Sequence, residues 1–190
     1  MSVKINGLTG IEFTSNTQQL KFKGDTQNFN LKTVGDDFNI YNNDVTKLWG
    51  MSSTGLESKP NVPAFFAKRT DTASFGGNAI FVFNLVEYDN TNSYSGTTGL
   101  FTAPISGFYH FTTTLVGTSG GDRTLIQFRV NGGIAGYLQH LQSVYSNQEP
   151  ANTTSITYYL NNGDTMEIYV LNTVRTNISN VNHFSGHFVG

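Results

Sequence analysis

The chain has 190 residues, of which 13% are aromatic and only 13% charged, with a formal net charge of −2 and no cysteine. That balance excludes nucleic acid as the main partner, because phosphate binding needs a concentrated basic surface, and it excludes disulfides and thiol chemistry. No segment is long and apolar enough to span a bilayer, and the opening MSVKINGLTG lacks the apolar core of a signal peptide, so neither a membrane nor a secretion route is expected.

Polarity comes from Asn, Thr, Ser and Gly. Thr and the aromatics favour strands, whereas Asn and Gly favour tight turns, so the chain reads as all-β. In chain order, the first feature is a repeat. Ile11, Leu20, Phe29, Phe38 and, more loosely, Leu56 recur at nine-residue spacing, with Lys47 breaking the series. Phe13, Phe22, Leu31, Ile40 and Trp49 follow two residues behind without a break. Val3 and Ile5 resemble an earlier, irregular unit. Each unit is an apolar pair on one face of a short strand, followed by a polar tail that holds only a turn.

One unit buries two side chains, which is too little to stand alone; stacked units, or units from several chains, make a continuous core. The expectation for residues 1–58 is a β-prism or β-helical stalk wound from three chains, of the kind found in viral fibres. Its core would be Ile11, Phe13, Leu20, Phe22, Phe29, Leu31, Phe38, Ile40 and Trp49. The plainer alternative is a β-meander packed on the main domain. Residues 59–63, within the Ser-, Gly- and Pro-rich run SSTGLESKPNVP, form the linker.

From Ala64 the pattern is that of a sandwich. Apolar alternation appears at Phe65–Ala67, Ile80–Phe83, Phe108–Leu115, Leu125–Val130, Ile156–Leu160, Met166–Val170 and Phe184–Val189, separated by turn signals such as Asn131-Gly132-Gly133 and Asn161-Asn162-Gly163-Asp164. After Gly107, Tyr109, Phe111, Thr113 and Leu115 share one face of a strand and Phe108, His110, Thr112 and Thr114 the other. Bulky residues on both faces imply a strand covered twice, once by its own sandwich and once by something else. By the same phase Ile156, Tyr158 and Leu160 point inward, leaving Thr157 and Tyr159 outside. His187 is outside too if Phe184, Gly186 and Phe188 point in.

The stretch Tyr94–Phe111, YSGTTGLFTAPISGFYHF, resembles the central motif of the C1q/TNF-like globular domain. Further markers follow in the expected order. They are Ala64-Phe65, Phe83-Asn84, the turn Asn131-Gly132, Leu160 with Gly163-Asp164, Met166 and Ile168, and the closing Phe184-Ser185-Gly186. The resemblance, over residues 64–190, implies a ten-stranded jelly-roll sandwich that associates as a homotrimer with its inner sheet on the threefold axis. The interface would then include Phe108, His110, Thr112, Thr157, Tyr159 and His187, with the last strand beside the one after Gly107.

Animal members of that family carry a collagen stalk, and this chain has a nine-residue β repeat where a Gly-X-Y tract would stand. Such tips are also familiar from bacteriophage fibres and bacterial spore-surface filaments. A phage fibre, spike or head decoration protein fits best, assembled in the host cytoplasm and displayed on the virion surface. Its partners would be itself, other virion proteins through the N-terminal region, and a host surface glycan or protein. The alternatives are a secreted recognition or cytokine-type protein and a spore-surface filament protein.

The four histidines form no H-E-x-x-H pattern, no Gly-x-Ser-x-Gly elbow is present, and no carboxylate pair is spaced for acid–base work, so an enzyme is not expected and no cofactor is required. Calcium is the one ion the resemblance brings in, since some such trimers hold it near the apex through loop carboxylates; Asp89 or Asp122 would serve, against the plainer reading of both as solvated turn residues. Candidate receptor contacts are Glu87, Tyr88, Asp89, Asp122, Arg123 and Tyr145, in polar loops rich in Tyr, Asn and Ser.

Overall fold

The computed structural model describes residues 19–23, 28–42, 46–71, 75–117, 124–141, 151–171 and 181–190. Every regular element among them is a strand, and the chain divides into two compact units, Met1–Asn61 and Val62–Gly190.

The first unit is an antiparallel up-and-down sheet of β1 (Gln19–Lys23), β2 (Asn28–Val34), β3 (Asp37–Asn42), β4 (Thr46–Met51) and β5 (Glu57–Ser58), each hydrogen-bonded to the next. Its β2–β3 hairpin turns on Gly35-Asp36, with Gly35 at φ +61°, as a two-residue loop requires. The described backbone of this unit is thus an antiparallel meander within one chain. A parallel coil sets every residue opposite its neighbour nine positions on; an antiparallel hairpin does so at one rung only. Leu31 lies opposite Ile40, and Ile40 opposite Trp49, but Leu20 is the partner of Leu31 and Phe22 that of Phe29. Phe29 faces Asn42, and Phe38 lies between Thr33 and Met51. Lys47 breaks the repeat because a bulge follows Ile40, so that Lys47 meets Tyr41 on the polar side. Ile11 and Phe13 lie outside the described residues.

The second unit is a jelly-roll-like sandwich of ten strands: β6 (Ala64–Lys68), β7 (Ala79–Ile80), β8 (Leu85–Asp89), β9 (Leu100–Thr102), β10 (Gly107–Val116), β11 (Thr124–Val130), β12 (Gly133–Leu141), β13 (Ala151–Leu160), β14 (Thr165–Val170) and β15 (His183–Phe188). One sheet runs β13-β10-β15-β6-β8; the other runs β12-β11-β14-β7, with β9 also on β14. Between them lies an aromatic core. Phe65 stacks on Tyr94 at 4.8 Å and Phe101 at 5.2 Å, and meets Phe184 edge-on at 5.0 Å. Such pairs contribute beyond the area they bury. Gly186 is required by this packing, because a side chain there would run into the rings of Phe111 and Phe65. The Tyr94 hydroxyl is a polar group within this aromatic cluster. It donates to the Phe83 carbonyl and accepts the Phe83 N–H, and burial pushes its pKa up to about 12.

Candidate functional site

Along β10 the residues facing the core, from Gly107 through Tyr109, Phe111 and Thr113 to Leu115, are buried, while Phe108, His110, Thr112 and Thr114 between them are not. Their rows run straight across the sheet. Phe108 lies opposite Tyr159; His110 lies between Thr157 and His187; Thr112 lies between Ser155 and Ser185; Thr114 lies between Thr153 and His183. Phe184 and Gly186 point inward with Phe188 packed against the core, so His183, Ser185 and His187 face outward.

The side chains on this outer face interlock. Phe108 and Tyr159 meet edge-to-face at 5.3 Å while remaining 52% and 48% exposed, too much aromatic surface for a single chain to leave in water without a purpose. The rings of His110 and His187 are 5.5 Å apart. His110 is fixed through both ring nitrogens, Nδ1 to Thr157 Oγ1 at 2.9 Å and Nε2 to Thr112 Oγ1 at 3.3 Å. Thr114 and Thr153 bond hydroxyl to hydroxyl at 2.7 Å. The six residues expected on this face, Phe108, His110, Thr112, Thr157, Tyr159 and His187, therefore form one contiguous patch.

The patch extends beyond them. Phe66 on β6 lies opposite Ser185 and Tyr88, stacks on the Tyr88 ring at 6.2 Å and meets the His183 ring at 5.4 Å. The doublet Phe65-Phe66 carried the signal: if one ring fills the core, its neighbour must face out. Tyr88 is not in a loop, as the sequence suggested, but in β8, and the same holds for Glu87, which pairs with Lys68 at 2.8 Å. Leu85, Val86 and Tyr88 have strand propensity that a reading of local polarity passes over.

Asp89 ends that strand, and its carboxylate accepts the N–H of Thr91 at 3.2 Å and of Tyr94 at 2.6 Å. Both oxygens thus close a turn. Asp122, Arg123 and Tyr145 lie outside the described residues. Among the described residues no cluster of three or more His, Asp or Glu is grouped to hold a metal ion. At one end of the sandwich Asp164 joins two turns. It accepts from Asn131 Nδ2 at 2.9 Å and from the Asn161 N–H at 2.8 Å, while Asn131 Oδ1 accepts the Thr165 N–H at 2.9 Å. The Asn131 bond, then that of the Asn161 amide, holds the Asp164 carboxyl below its usual pKa.

Comparison with known proteins agrees with this architecture. A family model described as the C1q domain matches residues 64–189. Three solved structures share the fold, each over 68% of this chain. The globular domain of zebrafish complement 1qA protein is 15% identical, with a TM-score of 0.55 and 98% of that chain covered. The Eiger TNF of S. frugiperda is 12% identical, with a TM-score of 0.53 and 94% covered. Murine APRIL is 9% identical, with a TM-score of 0.52 and 100% covered. No curated protein matches the sequence.

Proposed function

The chain belongs to the C1q domain family, and from that membership we propose that it is a homotrimeric virion protein of a bacteriophage, a fibre, spike or head decoration whose knob contacts a glycan or protein of the host surface. The coarser statement stands without the virus: this is a C1q/TNF-like domain of the recognition or structural kind, a type that binds rather than catalyses and whose homologues form homotrimers. In our reading residues 1–58 are the stalk or attachment region, 59–63 the linker and 64–190 the knob.

The observation that carries the assembly is the outer patch of Phe108, Tyr159, His110, His187, Phe66 and Tyr88, aromatic and pre-ordered on a single chain. Phage origin is supported by the absence of cysteine and of a Gly-X-Y tract, with a nine-residue β repeat in the collagen's place. A permanent interface of this kind buries more than about 2,000 Å².

Sedimentation equilibrium at micromolar concentration should return three times the chain mass, and Phe108→Asp should return a folded monomer. A wild-type monomer ends this reading. Immunogold labelling of intact particles then tests the setting, and its position separates tail adhesin from head decoration.

A further inference from the structure

The other sheet carries an arrangement that trimer formation does not use. On β11, Ile126 and Phe128 enter the core, which sends Gln127 and Arg129 to the outside; on β14, Met166, Ile168 and Val170 enter it, which sends Glu167 and Tyr169 out. The register sets Gln127 opposite Tyr169 and Arg129 opposite Glu167, giving a two-by-two block. A directly opposed Arg and Glu on one face ordinarily close into an ion pair. Here they do not, and among the described residues Glu167 has neither an ion pair nor a hydrogen bond through its carboxylate. The reason is the position of the guanidinium. Its Cζ lies 3.3 Å from the centroid of the diagonal Tyr169 ring, and its Nε donates to Gln127 Oε1 at 2.8 Å.

Stacking and the Gln127 bond fix the guanidinium plane, while its terminal nitrogens have no acceptor among the described residues. Glu167 and Gln127 are each only 5% exposed although they face away from the core. Burial raises the Glu167 carboxyl above its usual pKa, with the Arg129 charge pulling the other way. A fixed donor-only group thus stands beside a nearly buried acceptor-only group, with neither completing the other. The same row continues to Ile134, exposed and opposite Arg129, and to Leu100, opposite Glu167.

We propose that Gln127, Arg129, Glu167 and Tyr169 form a binding site for a neutral pyranose unit of a glycan, held through a vicinal diol. One hydroxyl donates to the Glu167 carboxylate, and its neighbour accepts from the Arg129 terminal nitrogens. The ring's C–H face lies against Ile134. An anionic sugar meets Glu167 and a cationic group meets Arg129, so the pair selects ligands without net charge. The site deepens the recognition role proposed above and takes its setting from that reading, but it is complete within one protomer.

The test is saturation-transfer difference NMR on the full chain with the methyl pyranosides of glucose, galactose and mannose, and with methyl glucuronide as the charged arm. At least one neutral glycoside should receive saturation and the glucuronide should not. Glu167→Gln, which keeps the side chain's shape, and Arg129→Lys, which keeps the charge but loses the planar fork, should each weaken binding roughly tenfold or more, about 1.4 kcal/mol. Thermal melting confirms that both variants are folded, and Lys59→Gln, at an exposed position outside both sheets of the sandwich, should leave binding unchanged. No transfer to any neutral glycoside, equal transfer to the glucuronide, or undiminished binding in folded Glu167→Gln overturns the site. Mass measured in parallel keeps the two readings apart. A monomer that still binds sinks the trimer alone, and a trimer that binds no glycoside sinks the site alone.

Discussion

The knob and the N-terminal meander are both antiparallel β-sheet, yet they differ in what one chain accomplishes. In the knob two sheets enclose a shared core, and Phe65, Phe81, Phe83, Tyr109, Phe111 and Phe184 are all completely buried. The meander is one sheet. Its apolar side leaves Phe38 37% and Met51 40% exposed, with Phe38 resting edge-on against Trp49 at 6.0 Å. Its other side carries Asn30, whose amide has no hydrogen-bond partner on either atom, and Asn39, whose side-chain oxygen has none, among the described residues. A buried polar group left this way costs about 1–3 kcal/mol. Burial inside one chain closes the core of the sandwich, whereas the meander leaves apolar side chains such as Phe38 and Met51 partly exposed.

The largest effect should therefore come from the knob's core. Phe65 touches Tyr94, Phe101, Phe111 and Phe184. Phe65→Ala removes the centre of that cluster and should cost about 3–5 kcal/mol, read as a lowered denaturant midpoint for the knob. The contrast predicts that this loss is independent of protein concentration in a monomeric Phe108→Asp background. A loss that vanishes on dilution would mean that the knob too depends on its copies.

The meander should answer differently. Leu31 is half-buried at the rung it shares with Leu20 and Ile40. Leu31→Asp forfeits an apolar contact of about 1.5–3 kcal/mol if neighbouring copies complete its burial, and it sets three carboxylates at one level of an assembled stalk. Limited trypsin digestion should then cut the region holding Lys32 and Lys47 while residues 64–190 stay intact. In the wild type the same cuts should appear on dilution towards monomer. Protection of the meander that ignores both the substitution and the dilution would show that a single sheet suffices, and the contrast with the knob would fail.

How far each region was legible in the sequence follows the same division. Alternation from Gly107 to Leu115 assigned the faces of β10 correctly because period-two patterning reports side, and side decides burial when a sheet is covered by its own partner. The order of markers from Ala64 to Gly186 then carried the fold. Patterning does not report which strand lies next door. Phe66 with Tyr88, and Arg129 with Glu167, are neighbours only through registers between segments far apart in the chain. In the meander the nine-residue spacing is real, but spacing is blind to strand direction: Leu31, Ile40 and Trp49 lie side by side across three strands, whereas Phe22 lies opposite Phe29. The turn between β2 and β3, Gly35-Asp36, carried the local signal for reversal, since two-residue loops join antiparallel strands.

The smallest effect sharpens the comparison from the knob's periphery, where Asp164 ties the turn at Asn161 to the turn at Asn131. Its hydrogen bonds, from Asn131 first, favour the charged form and depress its folded-state pKa below the unfolded value of about 3.9. The sign follows directly. Below the unfolded value the unfolded chain takes up the proton more readily than the folded one, so the stabilisation is complete above about pH 4 and is lost as pH falls through the folded value. Asp164→Asn removes the titrating group while keeping an acceptor oxygen for the Asn161 N–H. Melting midpoints followed from neutral pH down to about pH 2 should show the wild type losing more of its advantage than the variant, with the difference confined to the acid limb. That difference should be unchanged in the Phe108→Asp monomer, because both turns belong to one chain. A gap between wild type and variant that appears only in the assembled protein would place Asp164 at a contact between copies, and the knob's independence would then end at this corner of the sandwich.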